Sequence, residues 1–116
     1  MRRRIGAMLA AAGLAAVAAI AVPAPAQAAP SCKAGYICLW DEQNYQGEMK
    51  ELQVLNCRML VLDGFNNRTE SVVNNLGKHV LLADEWLCTG DAFLVLNGQA
   101  LPSLGFMNNR VSGVGM

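Results

Sequence analysis

From Gly35 onward the chain is a series of short apolar or alternating runs separated by turn residues. Tyr36–Trp40, Glu48–Val54, Met59–Leu62, Ser71–Val73, His79–Ala83, Ala92–Leu96 and Val111–Val114 each read as a strand, because branched, aromatic and leucine side chains cluster there at strand length. Gly47, Gly64, Gly77, Gly90, Gly98 and Gly105 punctuate the series. In this region no window of a dozen residues keeps an apolar period of about 3.6, so no amphipathic helix is expected. The pattern predicts an all-β domain.

The pattern also repeats. Leu39–Glu48 aligns with Leu82–Asp91 at an offset of 43, conserving Leu, Asp, Glu and Gly and ending on an acid in both copies. Asn66-Asn67-Arg68 aligns with Asn108-Asn109-Arg110 at an offset of 42, which sets Val72 over Val114. The drift of one residue is what a single loop deletion produces. A period of this length makes each half one supersecondary unit of about four strands. Two units are too few for a solenoid, but they can bury their apolar faces by packing as a sandwich.

Ahead of this domain stand Arg2, Arg3 and Arg4, an apolar run from Ile5 to Val22, then Pro23, Pro25 and Ala26-Gln27-Ala28. A basic start, an apolar stretch and a small-x-small site are the parts of a secretory signal. Nine of the 18 residues in the run are Ala and two are Gly, a weak composition for a membrane anchor. The expected division is a signal peptide over 1–28, cut after Ala28 or Ala29, and a domain over 29–116. Within it, repeat one spans about 35–74 and repeat two about 77–116. Overall, nine basic residues balance nine acidic ones. Three of the basic residues and none of the acids lie in the leader, so the exported domain carries six bases against nine acids, net −3. That excludes a nucleic-acid binder relying on a basic surface. The same acidic, half-apolar surface calls for nothing beyond a monomer.

Export places Cys32, Cys38, Cys57 and Cys88 in an oxidising compartment, where two disulfides are the default for so small a domain. Four cysteines allow three connectivities, and sequence cannot choose among them. The short gap from Lys33 to Ile37 suits a local Cys32–Cys38 staple, which leaves Cys57 for Cys88. A zinc site finds little support, with no C-x-x-C pair and His79 as the only histidine. Catalytic motifs are equally absent from the sequence: no G-x-S-x-G, H-E-x-x-H or phosphate-binding loop occurs. His79 opens an apolar run and reads as a strand start. Asp41-Glu42 and Asp84-Glu85 are equivalent in the repeat and read as solvated turn residues of matching hairpins. Asn67-Arg68-Thr69 fits a glycosylation sequon. No enzymatic activity is expected.

Trp40-x4-Tyr45-x-Gly47, followed by Asn66-Asn67-Arg68-x-x-Ser71, resembles the Greek-key motif of βγ-crystallins. In that motif an aromatic–glycine turn folds the first hairpin over and a serine from a later strand pins it. The leader, the opening Cys32-x-x-Gly35-x-x-Cys38 and the size narrow the resemblance to actinobacterial secreted peptidase inhibitors of βγ-crystallin type. It implies a two-motif sandwich, an extracellular peptidase as partner, and inhibition of thermolysin-like metalloproteases. Copy two departs from the motif, with Ala83 and Cys88 at the aromatic positions. A disulfide from Cys88 to Cys57 would then hold that turn in place of the aromatic corner.

The inhibitory loop expected on this reading is Glu85-Trp86-Leu87-Cys88, with Trp86 and Leu87 for an apolar subsite and Cys88 as its anchor; the competing role for Trp86 is a cover over the core. βγ-Crystallins of microbes often bind calcium through an N/D-N/D-x-x-S/T-S stretch. Here the candidates are Asn66, Asn67 and Glu70 in copy one and Asn108, Asn109 and Ser112 in copy two. These supply few charged oxygens, so the asparagines are expected to close turns and no cofactor is assigned. Two other classes share the fold: a calcium-binding or structural βγ-crystallin-type secreted protein, and an antimicrobial or killer-toxin-like protein. The acidic charge counts against the last.

Overall fold

The computed structural model describes residues 28–116. The expected signal peptide lies outside the described residues apart from Ala28. Among the described residues eight strands follow in order: β1 (Tyr36–Glu42), β2 (Gln46–Leu52), β3 (Cys57–Met59), β4 (Ser71–Asn75), β5 (Val80–Ala83), β6 (Ala92–Val95), β7 (Ala100–Leu101) and β8 (Gly113–Gly115). They form two antiparallel four-stranded sheets, ordered β2-β1-β4-β7 and β3-β8-β5-β6. Each repeat contributes four strands but lends its third to the other sheet: β3 joins copy two and β7 joins copy one. The sandwich is therefore interlocked, and neither half can leave without breaking a ladder.

Alternation along the strands builds the core. Ile37 and Leu39 of β1, Val72 of β4, Leu82 of β5, Val95 of β6 and Val114 of β8 all turn inward and are fully buried. Phe65, Leu60, Leu104, Met107 and Val111 close the ends of this layer from the loops. β1 is buried on its other face as well. There Cys38 and Trp40 form a second cluster with Tyr45, against which Cys32, Val73 and Ala100 pack. The Trp40 and Tyr45 rings meet edge to face at 5.4 Å, the geometry favoured by the ring quadrupoles.

Two elements differ from the sequence expectation. The run Met59–Leu62 is not a strand: β3 ends at Met59, and Leu60–Asp63 form a 3-10 turn. Leu60 points into the core while Leu62 is exposed, and Gly64 closes the turn in left-handed geometry (φ 70°) with its N–H on Leu60 and Val61 carbonyls. Conversely, Ala100–Leu101 is a strand that no local pattern announces. Pairing with Val73 and Val72 of β4 creates it.

Asn74, fully buried at the end of β4, ties the two halves together. Its Nδ2 donates to the carbonyls of Lys78 (2.9 Å), Val95 (3.2 Å) and Leu96 (3.2 Å), and its Oδ1 accepts the Leu76 N–H at 3.0 Å. Its backbone N–H donates to the Gln99 carbonyl and its own carbonyl accepts the Gly98 N–H. One side chain thus satisfies the link between the repeats and the turn after β6. Alanine here strands several buried polar groups at once. Asn74→Ala is expected to cost about 2–4 kcal/mol of unfolding free energy, measured by denaturant titration with an unchanged m-value.

Charge adds a pH dependence. Arg58 binds Asp63 through Nε (2.9 Å) and Nη2 (2.6 Å). This hydrogen bonding holds the Asp63 carboxyl below its ordinary range, against the opposing effect of burial. Hydrogen bonds from Arg68 likewise lower Asp41 and Glu48. A carboxylate depressed in the folded state stabilises it fully above the unfolded pKa, and loses that contribution as pH falls through the folded value. The melting temperature should therefore hold level from about pH 7 to 5 and fall progressively below about pH 4. Arg58→Met should remove the Asp63 share of that acid slope in calorimetric scans.

Candidate functional site

The two repeats fold their first hairpins over by the same device. In copy one, Asp41 Oδ1 accepts the Glu48 N–H at 2.8 Å, and Gly47 (φ 81°) lies so close that a Cβ there would collide with that oxygen. In copy two, Gly90 (φ 83°) packs as closely on Asp84 Oδ1, which is buried without a hydrogen-bond partner. Arg68 Nη2 then binds Asp41 (2.8 Å) and Glu48 (2.7 Å), while its Nη1 donates to the Gly64 carbonyl. Arg110 Nη2 repeats this with Asp84 (2.9 Å) and Asp91 (3.1 Å) and its Nη1 with the Phe106 carbonyl. Each arginine stacks on a phenylalanine, Arg68 on Phe65 and Arg110 on Phe106. Asp41 and Asp84 are therefore structural clamps rather than solvated turn residues. Sequence reasoning missed both arginines, although their repeat in Asn-Asn-Arg was visible.

What completes the fold-over differs between the copies. Tyr45 sits in left-handed backbone (φ 60°), its N–H donated to Ser71 Oγ at 3.0 Å, and that hydroxyl donates to the Glu42 carbonyl at 2.7 Å. In copy two Cys88 holds the equivalent conformation (φ 63°), and its N–H reaches the Glu85 carbonyl directly at 3.1 Å. A left-handed residue with a side chain costs about 1–2 kcal/mol, so something must hold it. The Cys57–Cys88 disulfide does so; the second disulfide joins Cys32 to Cys38. Gly113 stands where copy one has Ser71, because a Cβ there would lie 2.9 Å from both Cys88 Sγ and the Glu85 carbonyl. Glycine thus clears the space into which the disulfide folds.

The outcome is a short, tied loop. Glu85 N–H donates to the Thr89 carbonyl, Asp84 N–H to the Asp91 carbonyl, and the Cys57 sulfur packs 3.5 Å from the Trp86 carbonyl. On it Trp86 is 54% and Leu87 73% exposed. Trp86 does not cover the core. Beside the loop opens a cavity of about 560 Å³ lined by Asn66, Asn67, Asp84, Glu85, Trp86, Leu87, Thr89 and Ser112. The buried Asn66 Oδ1 at this place has no hydrogen-bond partner.

The asparagine stretches lie crossed at the interface of the repeats. Asn67 and Asn109 are left-handed (φ 57° and 60°), and each N–H donates to a backbone carbonyl of the other copy, Val111 and Thr69 respectively. Ser112 Oγ donates to Asn67 Oδ1 and Asn109 Nδ2 to Glu70 Oε2, both at 3.1 Å. Asn108 Oδ1 accepts the Leu104 N–H. Calcium asks for six to eight oxygens, several of them charged. Of the crossed side chains only Glu70 is a carboxylate, and the pairs Ser112–Asn67 and Asn109–Glu70 bind one another, an arrangement that serves turn closure. Thr69 of the sequon is fully buried, and Asn67 faces Ser112. Among the described residues, Cys32, Cys38 and Glu51 also gather closely, but the disulfide removes both thiolates. His79 precedes β5, and its Nδ1 accepts the Asn97 N–H at 2.9 Å.

Comparison with known proteins follows the same lines. The chain is similar to a beta gamma crystallin from Ciona intestinalis (TM-score 0.62, 20% identity, covering 71% of this chain and 99% of that one). It is also similar to the N-terminal domain of protein S (0.60, 25%, 69% and 92%). A betagamma-crystallin domain from Clostridium beijerinckii gives 0.57, 18%, 69% and 94%. These likenesses establish the fold. No curated protein matches the sequence significantly. The sequence profile described as peptidase inhibitor family I36 matches residues 25–95, more than half of the chain and all of the tied loop. The chain therefore belongs to peptidase inhibitor family I36, a non-enzymatic protein of βγ-crystallin fold whose partner is a peptidase.

Proposed function

We propose that the protein is a secreted inhibitor of thermolysin-like metalloproteases and that the loop Glu85–Cys88 enters the enzyme's cleft. The observation that carries this reading is the exposure of Trp86 and Leu87 on a loop closed by the Cys57–Cys88 disulfide and the Arg110 clamp. A free tryptophan beside a leucine on a monomer surface costs solubility and finds its use at a partner's apolar subsite. Holding the loop in advance removes the ordering entropy that a flexible segment would lose on binding. A tied loop is also a poor substrate, since the chain ends cannot separate after attack. The flanking Asp84, Glu85 and Asp91 suit a cleft with a basic or metal-bearing rim.

Secretion belongs to the same reading. The leader over 1–28 supports it, and so do two disulfides in so small a domain, which persist in oxidising surroundings. Residues 29–116 would then be the working inhibitor.

Both loop side chains stand clear of the core, so their removal should leave the fold unchanged. Trp86→Ala combined with Leu87→Ala should raise the inhibition constant against thermolysin by at least about 30-fold, the scale of one interface anchor, with an unaltered melting temperature. Normal inhibition by the double variant would remove the loop from the mechanism.

A further inference from the structure

Four strands border the two sheets: β2 and β7 in the first, β3 and β6 in the second. A sheet edge offers unpaired N–H and C=O groups to any passing strand, and proteins guard it with charge, proline or brevity. β2 carries Glu48, Lys50 and Glu51. β7 has two residues and runs into Pro102, while β3 has three with Arg58 at its centre. β6 has no such guard. Ala92-Phe93-Leu94-Val95 continues into Leu96 without a charge or a proline, and Leu94 and Leu96 are 52% and 45% exposed.

The backbone of β6 shows which groups are open. Asp84 N–H donates to the Asp91 carbonyl, and the register pairs Leu82 with Phe93 and Val80 with Val95. Hydrogen-bonded pairs alternate along an antiparallel ladder. Phe93 and Val95 therefore turn their groups to β5, and Ala92 and Leu94 turn theirs to the free side. Leu96, next in that alternation, is closed: its N–H donates to Gln99 Oε1 at 2.9 Å and its carbonyl accepts the Gln99 N–H. The open window is Ala92 to Leu94.

We propose that a second copy of this chain occupies it, β6 against β6, antiparallel about a two-fold axis. Opposed residues of an antiparallel pair share a face. Setting Phe93 against its counterpart keeps each side chain on its own face and places Ala92 opposite Leu94, so the open backbone groups satisfy one another twice over. Charge favours this arrangement. β6 starts beside Asp84, Glu85 and Asp91 and ends beside Lys78 and His79, all but Asp84 exposed. Antiparallel pairing brings the acidic end of each copy alongside the basic end of the other. An uncharged edge is also where two domains of net −3 repel least. The monomer expected from an acidic, half-apolar surface leaves this edge out of account.

One consequence rests on the inhibitory reading, although the pairing itself does not. The Glu85–Cys88 loop lies at the acidic end of β6, so the two-fold directs the two loops to opposite ends and leaves both open to a peptidase.

Analytical ultracentrifugation of the purified protein over a wide concentration range tests the pairing. The weight-average mass should climb from one chain toward two. Leu94→Pro, which removes an N–H from the free edge, and Leu94→Lys, which charges it, should both stay at one chain. Leu81→Lys, on the same face but one strand inward, should still associate. A single-chain mass at every concentration would overturn the proposal. So would association that survives Leu94→Lys, or that Leu81→Lys abolishes, since the contact would then be a face and not an edge. Inhibition by the Leu94 variants reports separately on the loop.

Discussion

Everything in this fold turns on a backbone that must enter left-handed geometry at the tip of each first hairpin, and on what keeps it there. Tyr45 and Cys88 occupy equivalent places with φ near 60°, where a side chain costs about 1–2 kcal/mol. Glycines two residues later leave room for an aspartate, the aspartate receives an arginine from the loop before the fourth strand, and the hairpin lies down on its own sheet. The two copies share this scaffold of Asp, Gly and Arg. They part company over the last contact, and the structural asymmetry of the two hairpins follows from that.

In copy one the last contact is an aromatic cluster. Tyr45 packs on Trp40, Ser71 bridges the turn, and the outer face of the first sheet is sealed. In copy two the aromatics are gone, and a disulfide to the other repeat's third strand takes their place. A disulfide occupies less surface than a tyrosine and a tryptophan. It holds the backbone without covering it, so the neighbouring Trp86 and Leu87 are left facing solvent. The substitution that looks like decay of a motif thus converts a structural corner into a presented loop. Cys57 comes from β3, the strand that copy one lends to the second sheet, so the interlocked topology supplies the partner.

The sequence shows much of this and hides the rest for physical reasons. β1 and β5 are legible because each is an apolar run of strand length, β1 being buried on both faces. β7 is not, since its two residues are a strand only through pairing with β4. The turn at Leu60–Asp63 misleads because an apolar run of that length fits a strand or a 3-10 turn equally well. The repeat made Asn66-Asn67-Arg68 conspicuous, yet the choice weighed was between a turn and a cation at the asparagines, while the arginine carries the clamp. Asp41 and Asp84 looked like surface acids because only the fold brings Arg68 and Arg110 to them across more than twenty residues. The exposure of Trp86 depends on where a disulfide pulls the backbone, which no local pattern encodes.

The account stands on the tie at Cys88, and removing that tie tests it most directly. Cys57→Ala combined with Cys88→Ala leaves the aromatic corner, both arginine clamps and the Asn74 link in place. Incubation of this variant with thermolysin, followed by mass spectrometry, reads inhibition and loop integrity together. The prediction is a domain that still folds, inhibits poorly, and is cut between Glu85 and Thr89. Undiminished inhibition by a folded, uncut double variant would contradict the claim that the disulfide makes the loop an inhibitor.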